Sequence, residues 1–222
     1  MRMNQQAKRM RELCRYAVTV AREDGLPDVA RRTAGFVKRR FLGKKARYLP
    51  AKKVLEAQRA RYAGATRASC GLPSISILTP LYNTPPAYLR AFLDSFAGQT
   101  APNGQLCLAD ASDEKHPEVG QIVQEYQAKY QQIVYKKIEN RGIAANTNAA
   151  AELADGEYLA LADHDDVLAP HAMAAMGQAI LDLRAAGSPD GFLYSDEALF
   201  EKDIRRSITA HFKKSDRSHV VL

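Results

Sequence analysis

The stretch SISILTPLYNTPPAYLRAFLDSF, residues 74–96, decides the fold of this 222-residue chain. Its first residues are rich in isoleucine and leucine, which predicts a β-strand over residues 74–78. After the prolines the apolar residues recur at helical spacing, which predicts an amphipathic helix over residues 86–96. The residues on its apolar face are Leu89, Phe92, Leu93 and Phe96. A strand followed directly by a helix is the unit from which parallel sheets are built.

The same alternation continues toward the C-terminus. Short apolar runs predict further strands over residues 106–109, 133–135, 158–161 and 192–194. Helical patterns lie between them over residues 118–130, 143–153 and 171–185. Strict alternation of strand and helix predicts the α/β class, a mostly parallel, Rossmann-like sheet flanked by helices.

Composition suits a globular protein in a reducing compartment. Apolar residues make up 46% of the chain, enough for a core. The three cysteines, Cys14, Cys70 and Cys107, are odd in number and far apart, which matches neither a disulfide framework nor a zinc site. No apolar run approaches the roughly 20 residues that span a bilayer, and the N-terminus lacks the apolar core of a signal peptide. We therefore expect a cytoplasmic protein.

The charge is unevenly distributed and divides the chain in two. Residues 1–70 contain 19 lysines and arginines against 5 acidic residues, so residues 71–222 carry a net charge of −7 within a total of +7. We expect a basic helical N-terminal extension of about three helices over residues 1–70. Such a segment suits a solvated extension packed on the main domain, peripheral contact with the anionic inner face of the plasma membrane, or nucleic acid. Nucleic acid is least favoured, because no aromatic or glycine pattern of an RNA-binding module is present.

Polar residues follow four of the predicted strands. Ligands of parallel sheets bind at the carboxyl ends of strands, so these segments would share one edge. They are residues 79–83, 110–113, 163–166 and 195–197. Their convergence on one edge predicts a binding site there.

Residues 163–166 place three carboxylates within four positions, after the apolar run of residues 158–161. Carboxylates this close repel one another unless a cation lies among them. Two interpretations follow. The segment holds a divalent metal, or it is a solvated acidic turn in which Asp165 or Asp166 caps the next helix.

Four motifs in a specific order carry a family resemblance. They are ISILTPLYNTP, LCLADASD, NRGIAANTNAAAELADGEYLALADHDD and YSDEALF. With them, residues 74–212 resemble the family 2 glycosyltransferases of the GT-A fold, especially bacterial enzymes that build O-antigen lipopolysaccharide and other surface polysaccharides. The resemblance implies an inverting transfer of a hexosyl or deoxyhexosyl group from a UDP- or dTDP-sugar to a glycan or lipid-linked acceptor. It does not extend to residues 1–70.

The resemblance also implies roles for individual residues. Its nucleotide-binding positions are Pro80, Tyr82, Asp110, Arg141, Asn148 and Asp163. Asp163 and Asp165, with Asp166 beside them, match the family's metal-binding DXD motif, which holds Mg²⁺ or Mn²⁺ on the diphosphate of the donor. Asp196 and Glu197 match an acidic segment near the acceptor, although a surface hairpin would explain them equally well.

Elementary chemistry is compatible with these roles. The ring of Tyr82 can lie against a nucleobase. Asp110 can accept a hydrogen bond from the imide N–H of uracil or thymine. Residues 140–143 open a predicted helix, whose free N–H groups, together with Arg141, could face a phosphate; the alternative is that Asn140 only caps this helix. Alternation along an extended segment would turn Asp163 and Asp165 to one side, so only one or two carboxylates need touch the ion.

One catalytic element of the family is not identifiable. An inverting transferase needs a general base, which related enzymes carry beyond the SDE segment. No acidic motif follows Phe212. We therefore expect residues 71–222 to be an incomplete domain without its acceptor half, as in a truncated chain. A non-catalytic nucleotide-sugar-binding fragment and a basic adaptor acting through residues 1–70 are the alternatives. A nucleotidyltransferase is disfavoured, because residues 81–86 do not form a glycine-rich basic loop.

Overall fold

The computed structural model of the protein describes residues 52–187, 192–195, 197–200 and 208–211. The helices are α1 (Lys52–Arg61), α2 (Pro86–Ala97), α3 (Pro117–Gln127), α4 (Ile143–Ala151) and α5 (Ala172–Ala185). The strands are β1 (Ile75–Leu81), β2 (Gly104–Asp110), β3 (Ile133–Lys137), β4 (Tyr158–Leu161), β5 (Glu197–Phe200) and β6 (Ile208–His211). Among the described helices, none is long and apolar enough to cross a membrane.

Strands β1 to β4 form a sheet in the order β3-β2-β1-β4, and all of its neighbours pair in parallel. At one edge the last residue of β1, Leu81, lies beside Asp110, which in turn lies beside Lys137. On the other side of β1, Leu78 pairs with Leu161. The predicted parallel α/β sheet is confirmed. Strands β5 and β6 form a separate antiparallel pair that the sequence did not predict.

Strands β1 and β2 are buried on both faces, whereas Leu159 and Leu161 of β4 are exposed. Ile75 and Ile77 face the main core, which contains the four apolar residues predicted for α2, now found buried. Apolar side chains of α3 and α5 complete this layer. On the opposite face Leu78 and Cys107 pack beneath Ala150 of α4. Helices thus flank both faces of the sheet.

Most predicted elements are confirmed within three residues of their ends. Pro80 is accommodated in β1 because it lies beyond the last residue pair between β1 and β4, where its missing N–H breaks no bond of that ladder. The strand predicted over residues 192–194 is wrong: this segment is described without strand pairing, and Phe192 is exposed. The pattern that predicted it, three successive apolar or aromatic residues, lacks alternation and is ambiguous when short.

The boundary predicted near residue 70 stays a prediction, although the segment before it packs on the sheet domain. Contacts divide the chain into residues 1–48 and 49–222, whereas the charge distribution placed the boundary near residue 70. Tyr62 packs with Leu72, Ala101 and Ala174 in a small apolar cluster, which ties the segment after α1 to the sheet domain. The helices predicted before α1 lie outside the described residues.

Candidate functional site

Three of the four predicted polar segments meet at the carboxyl edge of the sheet. Residues 82–83 follow β1, residues 110–113 end β2, and residues 163–166 follow β4. The fourth, residues 195–197, does not follow a strand of this sheet. Asp196 lies outside the described residues, and Glu197 is the first residue of β5. The end of β3 contributes a further polar residue, Lys137, which the sequence analysis missed.

Asp110 is the most enclosed polar residue of this edge. Its residue surface is 0% exposed. The backbone N–H of Ser112 donates to its Oδ1 at 2.8 Å, and the Tyr135 hydroxyl donates to its Oδ2, also at 2.8 Å. Lys137 Nζ donates to the same Oδ2 at 3.0 Å and to the Ser112 carbonyl oxygen at 2.7 Å. The carboxylate is therefore satisfied by the protein itself.

These contacts determine the protonation of the cluster. Burial acts to raise the pKa of Asp110, but the hydrogen bonds from Ser112, Lys137 and Tyr135 outweigh it, so the pKa lies below its ordinary value. The pKa of the Tyr135 hydroxyl is raised, mainly by burial and then by its hydrogen bond to Asp110 and the charge of that carboxylate. Asp110 is thus ionised at neutral pH, and Tyr135 donates.

A clasp joins the loops after β1 and β2. The Asn83 N–H donates to the Ser112 hydroxyl at 2.9 Å. The Asn83 side chain and Asp113 exchange two hydrogen bonds of 3.0 Å. Asn83 adopts a positive φ of 49°, a conformation that asparagine tolerates better than most residues. The clasp fixes the backbone beside Tyr82, whose side chain stays 48% exposed at the edge.

The N-terminus of α4 also reaches this edge, because the loop after β3 leads directly into it. Gly142 is its N-cap residue with φ 87°, and no side chain of the described residues caps the helix. Asn140 accepts hydrogen bonds from the Gly142 N–H and from the Asn146 amide, so it orders the turn before the helix rather than capping it. Arg141 is exposed and paired with Glu139, and Asn148 is exposed on α4.

Residues 163–166 form a hydrogen-bonded turn, in which the Asp166 N–H donates to the Asp163 carbonyl oxygen at 3.2 Å. Asp163 and Asp165 are exposed, while His164 is half-buried, as alternation predicted. The capping part of the turn interpretation is wrong, since α5 begins at Ala172 with His171 as its N-cap residue. The turn therefore presents carboxylates to solvent without a role in starting α5.

This donor set is compatible with a hard divalent cation that is shared with a ligand. Carboxylate oxygens are the ligands that Mg²⁺ prefers, and this ion usually takes one or two of them and completes its shell with phosphates and water. Within the described part of the chain, no group of three or more His, Cys, Asp or Glu side chains could hold a metal. Asp163 and Asp165 could supply the one or two carboxylates of such a shared site. The described residues alone do not surround an ion with protein ligands.

The sequence of this chain is similar to that of known proteins. Residues 76–218 match the family described as Glycosyl transferase family 2. An uncharacterized protein of Sinorhizobium fredii, y4gI, is 36% identical over 143 residues, which is 64% of this chain and 15% of that protein. The putative glycosyltransferase EpsH of Bacillus subtilis is 33% identical over 99 residues, covering 44% of this chain and 28% of EpsH.

Among solved structures, the S. aureus protein TarS matches with a TM-score of 0.47 and 24% identity. The match covers 55% of this chain and 21% of that structure. The chain therefore spans well under half the length of the relatives named here.

Proposed function

This chain belongs to glycosyl transferase family 2, and from that premise we propose that its parallel GT-A sheet holds a nucleoside-diphosphate sugar, with uracil or thymine as the base, for transfer to a glycan or lipid-linked acceptor. The observation that carries the proposal is the meeting of the ends of β1, β2 and β4 at one edge. That edge combines the exposed ring of Tyr82, the ionised carboxylate of Asp110 with its donors, and a turn with exposed carboxylates. We further propose that the acceptor is used in surface polysaccharide synthesis.

The proposed donor lies across the edge with its base at Tyr82 and its diphosphate toward residues 163–165. Pro80 and Asp110 belong to the base end, where the clasp between the two loops holds the backbone in place. The uncapped N-terminus of α4, with Arg141 and Asn148 nearby in the chain, provides N–H donors for a phosphate.

Asp163 and Asp165, with Asp166 next to them, are the proposed holders of Mg²⁺ or Mn²⁺. The bound ion would supply Lewis-acid stabilisation of the charge that develops on the departing diphosphate. The turn holds the backbone that carries these carboxylates, because the Asp166 N–H donates to the Asp163 carbonyl oxygen. Exposure leaves these oxygens accessible to an ion shared with a ligand.

The proposal is tested by calorimetry with UDP in the presence and absence of Mn²⁺. We expect binding that depends on Mn²⁺ and that falls at least about tenfold in Asp165→Ala, since even the outer partners of metal ligands typically contribute that much. Asp182→Ala is the matched control, because Asp182 is an exposed carboxylate on α5 that bonds only to Gln178 in the described structure. No UDP binding by the wild type, or equal loss in both variants, would contradict the proposal.

Transfer is a separate question from binding, because the general base is not among the residues identified. Asp196 and Glu197 are the proposed acceptor-side residues. A panel of sugar nucleotides separates an enzyme from a binding protein: detectable donor hydrolysis or transfer indicates turnover, whereas tight binding without either indicates a nucleotide-sugar-binding protein. The panel also identifies the sugar.

The excess of positive charge in residues 1–70 suggests that the protein meets its acceptor at a membrane surface. We propose peripheral contact between this segment and an anionic membrane surface, where each lysine or arginine contributes about 1 kcal/mol. Co-sedimentation with phosphatidylserine vesicles, compared with neutral vesicles, tests it. Retention that is equal on both, or unchanged after removal of residues 1–70, would exclude the contact.

A further inference from the structure

Lys137 ends β3 at the carboxyl edge, in line with the proposed base end of the site. It pairs across the sheet with Asp110, which pairs with Leu81, the residue before Tyr82. The Ser112 carbonyl oxygen that accepts from Lys137 belongs to the same residue whose hydroxyl accepts from Asn83. Lys137 and the loop that carries Tyr82 are therefore linked through Ser112.

The ammonium group of Lys137 is held but not enclosed. An ammonium has three N–H donors, and two of them are used on Asp110 and on the Ser112 carbonyl oxygen. The side chain of Lys137 is 52% exposed, while that of Asp110 is 0% exposed. Of this cluster, Lys137 is thus the group that a ligand at the edge can reach, and it has a donor left to give.

Asp110 is already engaged by the protein. Both of its oxygens accept hydrogen bonds from the protein, and no part of the residue reaches the surface. Its nucleotide-binding role stays a prediction, in which a direct contact with a base would require one of these donors to move away. Its observed contacts position the lysine, by charge and by a hydrogen bond.

The order of the strands separates Lys137 from the proposed diphosphate end. β3 and β4 lie at opposite sides of the four-stranded sheet, with β2 and β1 between them. Three strand spacings of about 4.8 Å amount to about 14 Å across the edge. Tyr82 follows β1, between the two sides. A cation at the end of β3 is therefore placed to meet the base of a nucleotide whose phosphates lie at residues 163–165.

We propose that Lys137 is a specificity-determining residue, which donates a hydrogen bond from its ammonium group to a carbonyl oxygen of a uracil or thymine ring. This inference rests on the proposed function, because it needs a nucleotide at this edge. Uracil and thymine each present two carbonyl oxygens. Cytosine keeps the carbonyl oxygen at C2 and replaces the one at C4 by an amino group, which would meet the ammonium donor-to-donor, so we assign the contact to O4.

Thio-substituted nucleotides test the contact on the wild-type protein. We expect 4-thio-UDP, but not 2-thio-UDP, to bind about tenfold more weakly than UDP with Mn²⁺, because sulfur is a poor acceptor and a hydrogen bond from a charged donor is lost. A loss confined to 2-thio-UDP would overturn the specificity role. Equal binding of all three nucleotides by the wild type would overturn the proposal even if UDP binds well, so its failure differs from that of the proposed function.

Variants then assign the contact to Lys137. In Lys137→Met we expect UDP and the discriminating analogue to bind alike, whereas Lys136→Met should keep the tenfold difference. Lys136 is a matched control, since it precedes Lys137 on β3, carries the same charge and pairs with Glu152 at 3.2 Å. A difference that persists in Lys137→Met would overturn the assignment. Thermal unfolding of both variants checks that they are folded, and Lys137→Leu, which also removes the donor, replaces Lys137→Met if that variant is not.

Discussion

Two aspartates at the end of β2 and in the loop after it have opposite surroundings although they are three positions apart. Asp110 is buried, and its charge is balanced by neighbours from β3. Asp113 is partly exposed, and hydrogen bonds from His116 first and Asn83 second lower its pKa to about 2. Both are ionised at neutral pH, and both receive donors from distant parts of the chain, Asp113 from Asn83 and Asp110 from β3.

Asp110→Asn should destabilise the protein in a pH-dependent manner. At pH 7 we expect a loss of about 1–3 kcal/mol, because Lys137 loses its charged partner within the buried cluster. The folded-state pKa of Asp110 lies below its unfolded value, near 3.9, so its contribution is fully present above about pH 4 and is lost as the pH falls through the folded pKa. Urea unfolding from pH 7 to pH 2 measures this, and the difference between wild type and variant should shrink on acidification. A constant difference would contradict it.

Individual residues were only partly predictable from the sequence. The exposed Tyr82 and the alternation at residues 163–165 follow from strand ends and period-2 geometry. Lys137 was missed because the strand was predicted to end at residue 135, although positions 135 and 137 share a face in any strand that continues. The burial of Asp110 was not predictable, since its donors come from β3, 25 and 27 positions later.

At the scale of elements, helix α2 contributes four buried apolar side chains to the main core. Phe92 is 0% exposed, with Leu89 and Leu93 beside it on the same face. Tyr88, on the same helix, is 57% exposed. The periodicity of the sequence alone distinguishes these faces, which is why the helix was predicted nearly to its ends.

Phe92→Ala should lower the free energy of unfolding by about 3–5 kcal/mol, because it removes a buried ring and leaves a cavity. Tyr88→Ala, on the exposed face of the same helix, should change it by no more than about 0.5 kcal/mol. Chemical denaturation of both variants measures the two values. Similar losses in the two would mean that the face of α2 is not as described.

The turn before β4 contains a close contact that the sequence pattern does not predict. A Cβ on Gly156 would lie 2.7 Å from the Ser76 backbone nitrogen and 2.8 Å from its hydroxyl. The Gly156 N–H donates to that hydroxyl, which in turn donates to Gln105. A glycine in a loop reads only as a turn signal. Its close approach to β1 depends on strand order, which no local pattern contains.

At the scale of the whole molecule, the alternation of strands and helices was enough to predict the class and the parallel sheet. It was not enough to place β5 and β6, whose antiparallel pairing departs from the alternating order. Charge and contacts divide the chain at different places. The charge distribution changes near residue 70, whereas the Arg67–Asp155 ion pair of 2.6 Å joins a residue before that point to the sheet domain.

Two N-terminal deletions distinguish the boundaries. Removal of residues 1–70 should lower the melting temperature relative to removal of residues 1–48, because it deletes Tyr62 from its apolar cluster and leaves Asp155 without Arg67. Loss of the buried Tyr62 ring alone is expected to lower the free energy of unfolding by about 2–4 kcal/mol. Differential scanning calorimetry measures the difference. Equal melting temperatures would instead favour the boundary near residue 70.

The strand order also affects the sequence of events during folding. β1 neighbours β2, made soon after it, but it also neighbours β4, and the hydrogen bond from Thr79 to Ala162 spans 83 positions of chain. Contacts this distant in sequence form slowly, because a long loop must close before they contribute. During synthesis, β1, β2 and β3 can assemble while β4 is still unmade. The turn of residues 163–166 therefore joins an edge whose other parts already exist, and the proposed binding of a metal ion should appear only after β4 has been made.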